Sequence, residues 1–143
     1  KRSLIMKTKV LNPKNVETKW HLIDANNQVL GRVASQVAKI LIGKNKVEYT
    51  PNHSLADKVV IINSSKIRVT GNKALSKVYY RHSNYPGGLK SETFEKRIVR
   101  RPNDVIRDAV KGMLPINRLR DVRITNLYVY EGDTHPHQGQ IKL

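Results

Sequence analysis

An apolar stripe between Leu30 and Leu41 constrains the fold of this chain more than any other feature of its sequence. Leucine, valine and alanine recur there in the i, i+3, i+4, i+7 pattern of the buried face of an α-helix. The stripe consists of Leu30, Val33, Ala34, Val37, Ala38 and Leu41. Gly43 follows and supplies a C-terminal stop. The pattern therefore predicts an amphipathic helix that has to pack against a core.

Two apolar segments flank this helix and indicate the class of fold. Residues 20–25, with the sequence WHLIDA, predict a strand, and residues 59–63 form a β-branched run typical of a fully buried strand. Strand, helix and buried strand together form a βαβ unit. We therefore predict an α/β fold, a three-layer α/β/α arrangement with a mostly parallel four-stranded sheet, in a single domain of residues 19–143.

The second half of the chain predicts mainly helices. Residues 92–101, 102–115 and 117–124 show helical patterns, and residues 66–70, 77–81 and 127–130 predict strands or extended segments. The expected buried pair of the first of these helices is Phe94 and Ile98. The expected inward-facing residues of the second are Val105, Ile106, Ala109, Val110 and Met113.

The charge balance indicates the kind of partner. The chain has 27 Lys and Arg against 11 Asp and Glu, a formal net charge of +16. A compact domain with this excess repels itself unless an anion neutralises it, and nucleic acid is the obvious candidate. Residues 1–16 hold five bases and no acid, and residues 58–91 hold seven bases and no acid. Two such runs favour phosphate contact, and we interpret residues 1–18 as an extended basic arm.

Several kinds of chemistry lack support in the sequence. Cysteine is absent, which excludes thiol catalysis, disulfides and thiolate metal sites. The glycine-rich loops that hold nucleotides or dinucleotides are missing. His135 and His137 have no evident third ligand, so we expect no bound metal. We expect a non-catalytic intracellular protein without a cofactor or small-molecule substrate, and without a membrane segment because no apolar run is long enough.

The segment of residues 79–88, with the sequence YYRHSNYPGG, combines several groups that suit RNA. Tyrosine rings can stack on unpaired bases, and arginine and histidine can donate to phosphates or base edges. Glycine lets the backbone approach a ligand closely. An ordinary exposed turn with tyrosines packed on the core is the alternative, but within an acid-free stretch we predict RNA contact. The residues concerned are Tyr79, Tyr80, Arg81, His82, Tyr85, Gly87 and Gly88.

The order and spacing of these motifs resemble the thirteenth protein of the large ribosomal subunit, in its bacterial and organellar form. The resemblance extends from about residue 20 to residue 140. It rests on WHLIDA at 20–25, VLGR at 29–32, GKNK at 43–46, YTP at 49–51, IRVTGNK at 67–73, the 79–88 segment, VKGMLP at 110–115 and HPH at 135–137. It implies an α/β core, binding to large-subunit ribosomal RNA early in assembly, and no catalytic activity.

The resemblance also implies which residues contact RNA. These are Lys44, Lys46, Arg68, Lys73, the named residues of the 79–88 segment, Lys111, Arg118 and Arg120. The further predicted contacts are Lys7 and Lys9 of the arm, together with Arg32, Lys77 and Lys90. Neighbouring large-subunit proteins are the other expected partners, on the cytoplasmic ribosome of a bacterium or on an organellar ribosome. A free RNA-binding translational regulator and an RNA-modifying α/β enzyme stay open as alternatives.

The chain departs from the family pattern at three places. Asn84 stands where the family usually has glycine, which is tolerable because asparagine also adopts left-handed backbone angles. Residues 116–120, with the sequence INRLR, replace a glycine- and proline-containing loop but keep the basic charge. Residues 1–5 precede the Met-Lys-Thr with which the family often starts, and they are interpreted either as an extension or as the remnant of a longer arm or targeting segment.

The basic arm leads to a first testable prediction. Deletion of residues 1–10 removes Lys1, Arg2, Lys7 and Lys9 and is expected to weaken RNA binding while leaving the fold intact. If all four side chains contact phosphate, the slope of log affinity against log salt becomes shallower by about three to four units. A salt titration of both proteins measures this slope, and an unchanged slope would mean that the arm does not contact RNA.

Overall fold

The computed structural model describes residues 16–55 and 57–141, so the predicted contacts Lys7 and Lys9 and most of the predicted arm lie outside the described residues. Within the described residues, single turns of 3-10 helix occur at Ser64–Lys66 and Gln138–Gln140. The strands and α-helices, in chain order, are β1 (Trp20–Asp24), α1 (Leu30–Ile42), β2 (Lys58–Ile62), α2 (Lys73–Ser76), β3 (Val78–His82), β4 (Leu89–Thr93), α3 (Phe94–Arg100), α4 (Pro102–Met113), α5 (Leu119–Ile124) and β5 (Leu127–Val129).

Strands β1, β2 and β5 form a parallel sheet with β2 in the centre. The register aligns Ile23 with Ile61 and Ile61 with Val129. All residues of β2 after Lys58 are buried. A strand that is covered on both faces needs apolar side chains on both, which explains why its sequence runs without alternation. The predicted mixed α/β class and the parallel pairing are confirmed.

Helices α1 and α4 cover one face of this sheet. The apolar stripe of α1 is buried along its whole length, as the sequence predicts, and it packs with Val105, Ile106 and Val110 of α4 and with Ile61 of β2. Helix α1 ends at Gly43, whose left-handed φ of 84° lets its N–H donate to the carbonyl of Ile40 at 2.9 Å. This is the C-terminal stop expected from glycine.

The opposite face of the sheet is covered by aromatic and histidine side chains. Trp20 stacks on Tyr128 with ring centroids 5.6 Å apart. The His137 ring lies 4.9 Å from Trp20 and 4.6 Å from Tyr128, and His135 lies 6.2 Å from Tyr130. The histidines of the HPH motif therefore pack on the sheet, and a second helical layer is not found in the part of the chain that the structure describes.

The parallel sheet has three strands within the described ranges, where the sequence predicts four. In the predicted strand at residues 66–70, Lys66 ends a 3-10 turn and Arg68 makes only an isolated bridge to Val29. Residues 77–81 do contribute a strand, β3, but it pairs antiparallel with β4 in a separate two-stranded sheet. Alternation in a sequence indicates a half-exposed strand without specifying its partner, and β2 already has a neighbour on each side.

The helices of the second half differ from the prediction in detail. Glu92 and Thr93 belong to β4, so α3 begins at Phe94, which is buried as predicted. Met113 is 43% exposed, because α4 ends there and Leu114 takes the buried position at 2% exposure. Helix α2 escapes prediction because four residues are too few to show a period. None of the described helices combines the length and apolar content needed to cross a membrane.

Candidate nucleic-acid interface

The predicted RNA-binding segment forms a β-hairpin from β3, β4 and the turn at residues 83–88. Asn84 and Gly87 adopt left-handed φ angles of 65° and 70°. The Gly88 N–H donates to the Tyr85 carbonyl at 2.9 Å, and the Ser83 N–H donates to the Gly88 carbonyl at 3.2 Å. Asn84 therefore adopts the left-handed backbone conformation that glycine reaches most easily, which asparagine tolerates better than most residues.

Glycine is required at position 88 by the packing of this turn. A Cβ atom there would lie 2.1 Å from Ser83 Oγ and 2.8 Å from the Tyr85 carbonyl oxygen, whereas a Cβ at Gly87 would meet nothing within 4 Å. At Gly87 the positive φ is what disfavours a side chain. Both glycines have a structural reason within the hairpin, and close approach to RNA stays a prediction.

One face of the hairpin is held against α3. Tyr79 is aligned with Glu92 across the two strands, so both side chains lie on the same face. The guanidinium carbon of Arg97 lies 4.3 Å from the Tyr79 ring centroid, and Arg100 donates to Glu92 Oε2 at 2.8 Å. Two contacts between hairpin and helix thus fix their relative position.

A groove of about 430 Å³ runs between the hairpin and the helices α3 and α4. It has six basic and two acidic lining residues, so its charge is strongly positive. The groove is lined by Tyr79, Tyr80, Arg81, Lys90, Ser91, Glu92, Lys96, Arg97, Arg100, Arg101 and Asp104.

Only some of these bases have a counter-charge within the protein. Arg97 pairs with Asp108 and Arg100 pairs with Glu92, while Arg101 lies 3.8 Å from Asp104. The other three bases make no ion pair with an Asp or Glu side chain, and every Asp and Glu of the chain lies in the described ranges. These three are Arg81, Lys90 and Lys96.

Two of the unpaired bases oppose each other directly. Arg81 and Lys90 are cross-strand partners, so two positive side chains project side by side from the same face. Like charges in this position destabilise an isolated hairpin. A phosphate between them would turn the repulsion into two charge-assisted hydrogen bonds. The arrangement therefore suits an anionic ligand that the groove binds along its length.

The three tyrosines of the hairpin have different environments. Tyr79 is half-buried against the core with Arg97 over its ring, and its buried hydroxyl has no hydrogen-bond partner within the described residues. Burial raises the pKa of Tyr79, which Asp108 reinforces and Arg97 opposes. Tyr80 and Tyr85 are 70% and 74% exposed. Tyr79 is thus a packing residue, and only the other two offer free rings.

Lys46, a predicted RNA contact, is engaged inside the protein. Its Nζ lies 2.6 Å from Asp57 Oδ1 and 2.8 Å from the Glu17 carbonyl oxygen, and its side chain is only 13% exposed. Asp57 also accepts hydrogen bonds from the Lys19 N–H at 2.9 Å and from His21 Nε2 at 3.0 Å. The charge of Lys46 is therefore neutralised by a buried carboxylate, and its contact with RNA stays a prediction.

The remaining predicted contacts lie on several parts of the surface. Arg68 lies beside the start of α1, the helix that carries Arg32, because the Leu30 N–H donates to the Arg68 carbonyl at 2.9 Å. Arg120 is half-buried, and its Nε has no acceptor among the described residues. The predicted contacts that are exposed are Arg32, Lys44, Arg68, Lys73, Lys77, Tyr80, Arg81, His82, Tyr85, Gly87, Lys90, Lys111 and Arg118.

The bases that α3 and the following residue contribute to the groove were missed by the sequence analysis. Lys96, Arg97, Arg100 and Arg101 are four bases within six residues, and they begin five positions after the end of the acid-free stretch. That density is itself a signal of a basic surface. Bases in the last turn of a helix also interact favourably with the helix dipole. The sequence alone therefore explains these residues equally well without a ligand.

Comparison with known proteins adds an independent finding. Residues 18–136 match the family model described as ribosomal protein L13. The chain is 54% identical over 134 residues to the large ribosomal subunit protein uL13 of Symbiobacterium thermophilum, covering 94% of both chains. It is 50% identical over 138 residues to that of Spiroplasma citri, covering 95% of this chain and 94% of the relative. The Staphylococcus aureus protein of the same name is 51% identical over 133 residues, covering 93% and 92%.

Proposed function

This chain belongs to the ribosomal protein L13 family, and we propose from that premise that it is a structural component of the large ribosomal subunit that binds large-subunit ribosomal RNA. Its curated relatives are named as proteins of that subunit. The family is one of structural ribosomal proteins, so the chain is a binding protein and its surface has to be understood as an interface.

The observation that carries the RNA-binding part is the groove between the hairpin and α3. Arg81 and Lys90 oppose each other there without a counter-charge, and Lys96 adds a third unpaired base. Their mutual repulsion is a cost in the free protein that a phosphate backbone removes on binding. A surface that only kept the protein soluble would have no reason to align like charges on adjacent strands.

The residues of the groove divide into three roles. Lys90 and Lys96 contact phosphates as point charges, and Arg81 contacts a phosphate through a planar fork that fits one local RNA shape. Arg97 and Arg100 hold the helix against the hairpin through Tyr79 and Glu92, so they position the phosphate contacts. The exposed rings of Tyr80 and Tyr85 are available at the hairpin for unpaired bases or other surfaces.

The relatives of the chain and its charge support a proposal for where and when it binds. The three relatives named above are bacterial, so we place the chain on a bacterial cytoplasmic ribosome, although an organellar ribosome presents the same RNA chemistry. A formal charge of +16 steers a protein quickly to exposed RNA, which fits binding early in assembly. Residues 19–143 form the binding domain, and residues 1–18 add the arm.

A single substitution tests whether the groove recognises RNA or only attracts it. Arg81→Lys keeps the charge but loses the planar guanidinium fork. We expect it to weaken binding to large-subunit rRNA about tenfold more than binding to a random RNA of equal length. Gly87→Val is expected to act in the same direction, because a β-branched residue is strained at a φ of 70°.

The control is Lys9→Ala, which removes an arm charge and should weaken both RNAs by the same factor. Binding curves at one salt concentration give the affinities, and circular dichroism verifies that each variant is folded. Equal losses for Arg81→Lys on both RNAs would show that the groove does not discriminate. If the unmodified chain has no preference for large-subunit rRNA, the proposed function itself fails.

A further inference from the structure

The groove between the hairpin and the helices α3 and α4 holds carboxylates as well as bases. Glu92 and Asp104 line it, in a chain that has only 11 acidic residues against 27 basic ones. Both would weaken a groove that bound only the phosphate backbone, because a carboxylate repels a phosphate. The two carboxylates therefore indicate a ligand that carries hydrogen-bond donors beside its phosphate.

The protein occupies one of these carboxylates more than the other. Glu92 Oε2 accepts a hydrogen bond from Arg100 at 2.8 Å. Among the described residues, none donates a hydrogen bond to the Asp104 carboxylate, and its ion pair with Arg101 spans 3.8 Å, too far for a hydrogen bond. The Asp104 side chain is 40% exposed. Asp104 is therefore the acceptor in the groove that is open to a ligand.

An unused donor belongs to the same groove. Tyr79 lines the groove, and its hydroxyl is buried without a hydrogen-bond partner among the described residues. A buried hydroxyl is normally hydrogen-bonded, so an acceptor on a ligand would complete it. The groove thus combines an open acceptor at Asp104 and an unused donor at Tyr79 with the unpaired bases Arg81 and Lys90.

The size and the chemistry of the groove fit one nucleotide. Its volume of about 430 Å³ lies within the range of roughly 300–1,000 Å³ that is typical of pockets for small ligands. A nucleotide carries a phosphate and, on the edge of its base, N–H donors beside acceptors. In a duplex the base-pairing edge is already used, whereas an unpaired base can turn out of the stack and bind a protein through that edge.

We propose that the groove takes up a single unpaired nucleotide of the ribosomal RNA. Its phosphate lies between Arg81 and Lys90, and its base enters the groove. There Asp104 accepts a hydrogen bond from an N–H of the base, and the Tyr79 hydroxyl donates to an acceptor of the same base. This inference rests on the proposed function and narrows it, because it specifies an unpaired nucleotide as the feature of the RNA that the groove recognises.

Chemical footprinting of the complex with large-subunit rRNA tests the proposal. Hydroxyl radicals report the backbone that the chain covers, and reagents that modify the base-pairing edge report the bases that it covers. Saturating wild-type chain should make one unpaired base within the backbone footprint unreactive. With Asp104→Ala combined with Tyr79→Phe, the reactivity of this base should rise about fivefold or more at saturation, while the backbone footprint stays in place.

The matched control is Glu95→Ala combined with Tyr130→Phe. Glu95 lies in the first turn of α3 as Asp104 lies in the first turn of α4, and neither control residue lines the groove. The control therefore removes the same charge and one tyrosine hydroxyl, and the base should stay protected. If Asp104 only stabilises its helix end, both double variants leave the base protected, and the proposal is wrong.

The outcomes separate this inference from the proposed function. If the wild-type chain protects the rRNA backbone but no base, or the protected base does not respond to the groove variant, the nucleotide site is wrong and the proposed function stands. If the wild-type chain leaves no footprint on large-subunit rRNA, the proposed function fails.

Tyr79→Phe alone supplies a second readout. The affinity for large-subunit rRNA should fall about fivefold, because one hydrogen bond to the base is lost. The Tm of the free protein should stay the same or rise, since the ring keeps its contact with Arg97 and no buried hydroxyl is left without a partner. A lower Tm with unchanged affinity would show that the hydroxyl serves the fold, and would contradict the proposal.

Discussion

Replacement of Arg81 and Lys90 together by glutamate is expected to lower the affinity for large-subunit rRNA about a thousand-fold. Each side chain loses a charge-assisted hydrogen bond to phosphate, which contributes roughly 1.5–3 kcal/mol. The new carboxylates also repel the RNA backbone. Filter binding or gel-shift titration at fixed salt concentration measures the loss. The fold should survive, since the variant only exchanges one like-charged cross-strand pair for another.

The matched control is Lys39→Glu combined with Arg107→Glu. Both residues are exposed bases on helices, α1 and α4, and neither lines the groove. The control lowers the formal net charge from +16 by the same four units, so it measures the general effect of charge. We expect a loss of less than about tenfold. Equal losses in the two double variants would mean that the groove is not the RNA interface.

A single exchange at the same pair separates binding from stability. Arg81→Glu places a carboxylate opposite Lys90, so the cross-strand pair becomes attractive. The free energy of unfolding should then rise by about 0.2–1 kcal/mol, while RNA affinity falls. Thermal melts and binding curves of one variant therefore move in opposite directions, which is characteristic of a residue kept for function.

Asp57→Asn is expected to lower the free energy of unfolding more than any other substitution named above. The expected loss is about 3 kcal/mol, or roughly 10 °C in Tm. The Asp57 side chain is only 7% exposed and neutralises Lys46, whose side chain is 13% exposed. It also accepts hydrogen bonds from the Lys19 N–H and His21. The amide leaves the lysine buried without a counter-charge. Asp121→Asn is the control, because its pair with Lys111 is exposed and contributes little.

The stability lost in Asp57→Asn should depend on pH, because Asp57 itself titrates. Burial would raise the pKa of Asp57, but hydrogen bonds from Lys46, Lys19 and His21 outweigh burial and lower it. A carboxyl group with a lowered folded-state pKa stabilises the fold above its unfolded pKa of about 4 and loses this contribution as pH falls through the folded value. The difference between the wild type and Asp57→Asn should be full at pH 7 and shrink in acid. A difference that stays constant down to acid pH would contradict this account.

The elements that the sequence predicts well have local signals. Helix α1 shows its full apolar stripe within thirteen residues, and Gly43 marks its end. Strand β2 is a continuous apolar run because both of its faces are buried. Strand β4, with the sequence LKSET, has no such signal. Its extended state depends on pairing with β3, which is a tertiary interaction that propensity does not contain.

The residues of the candidate site also divide into those with a local signal in the sequence and those whose role depends on tertiary packing. The excess of positive charge predicts a nucleic-acid surface, but it cannot distinguish a free base from a paired one. Lys46 belongs to a basic motif, yet the fold brings it to the buried Asp57. Lys96 belongs to a helix with favourable end charges, yet the fold turns it toward the hairpin groove. Which bases remain free is decided by packing between elements that are separate in sequence.

Sedimentation tests the central claim most directly. A tagged copy of this chain is expressed in bacterial cells whose own L13 protein has been depleted, and the lysate is separated on a sucrose gradient. We predict that the chain sediments with the large subunit at close to one copy per particle, and that the Arg81→Glu, Lys90→Glu variant is largely lost from it. A wild-type chain that stays at the top of the gradient, or is found at far below one copy per large subunit, would contradict the account.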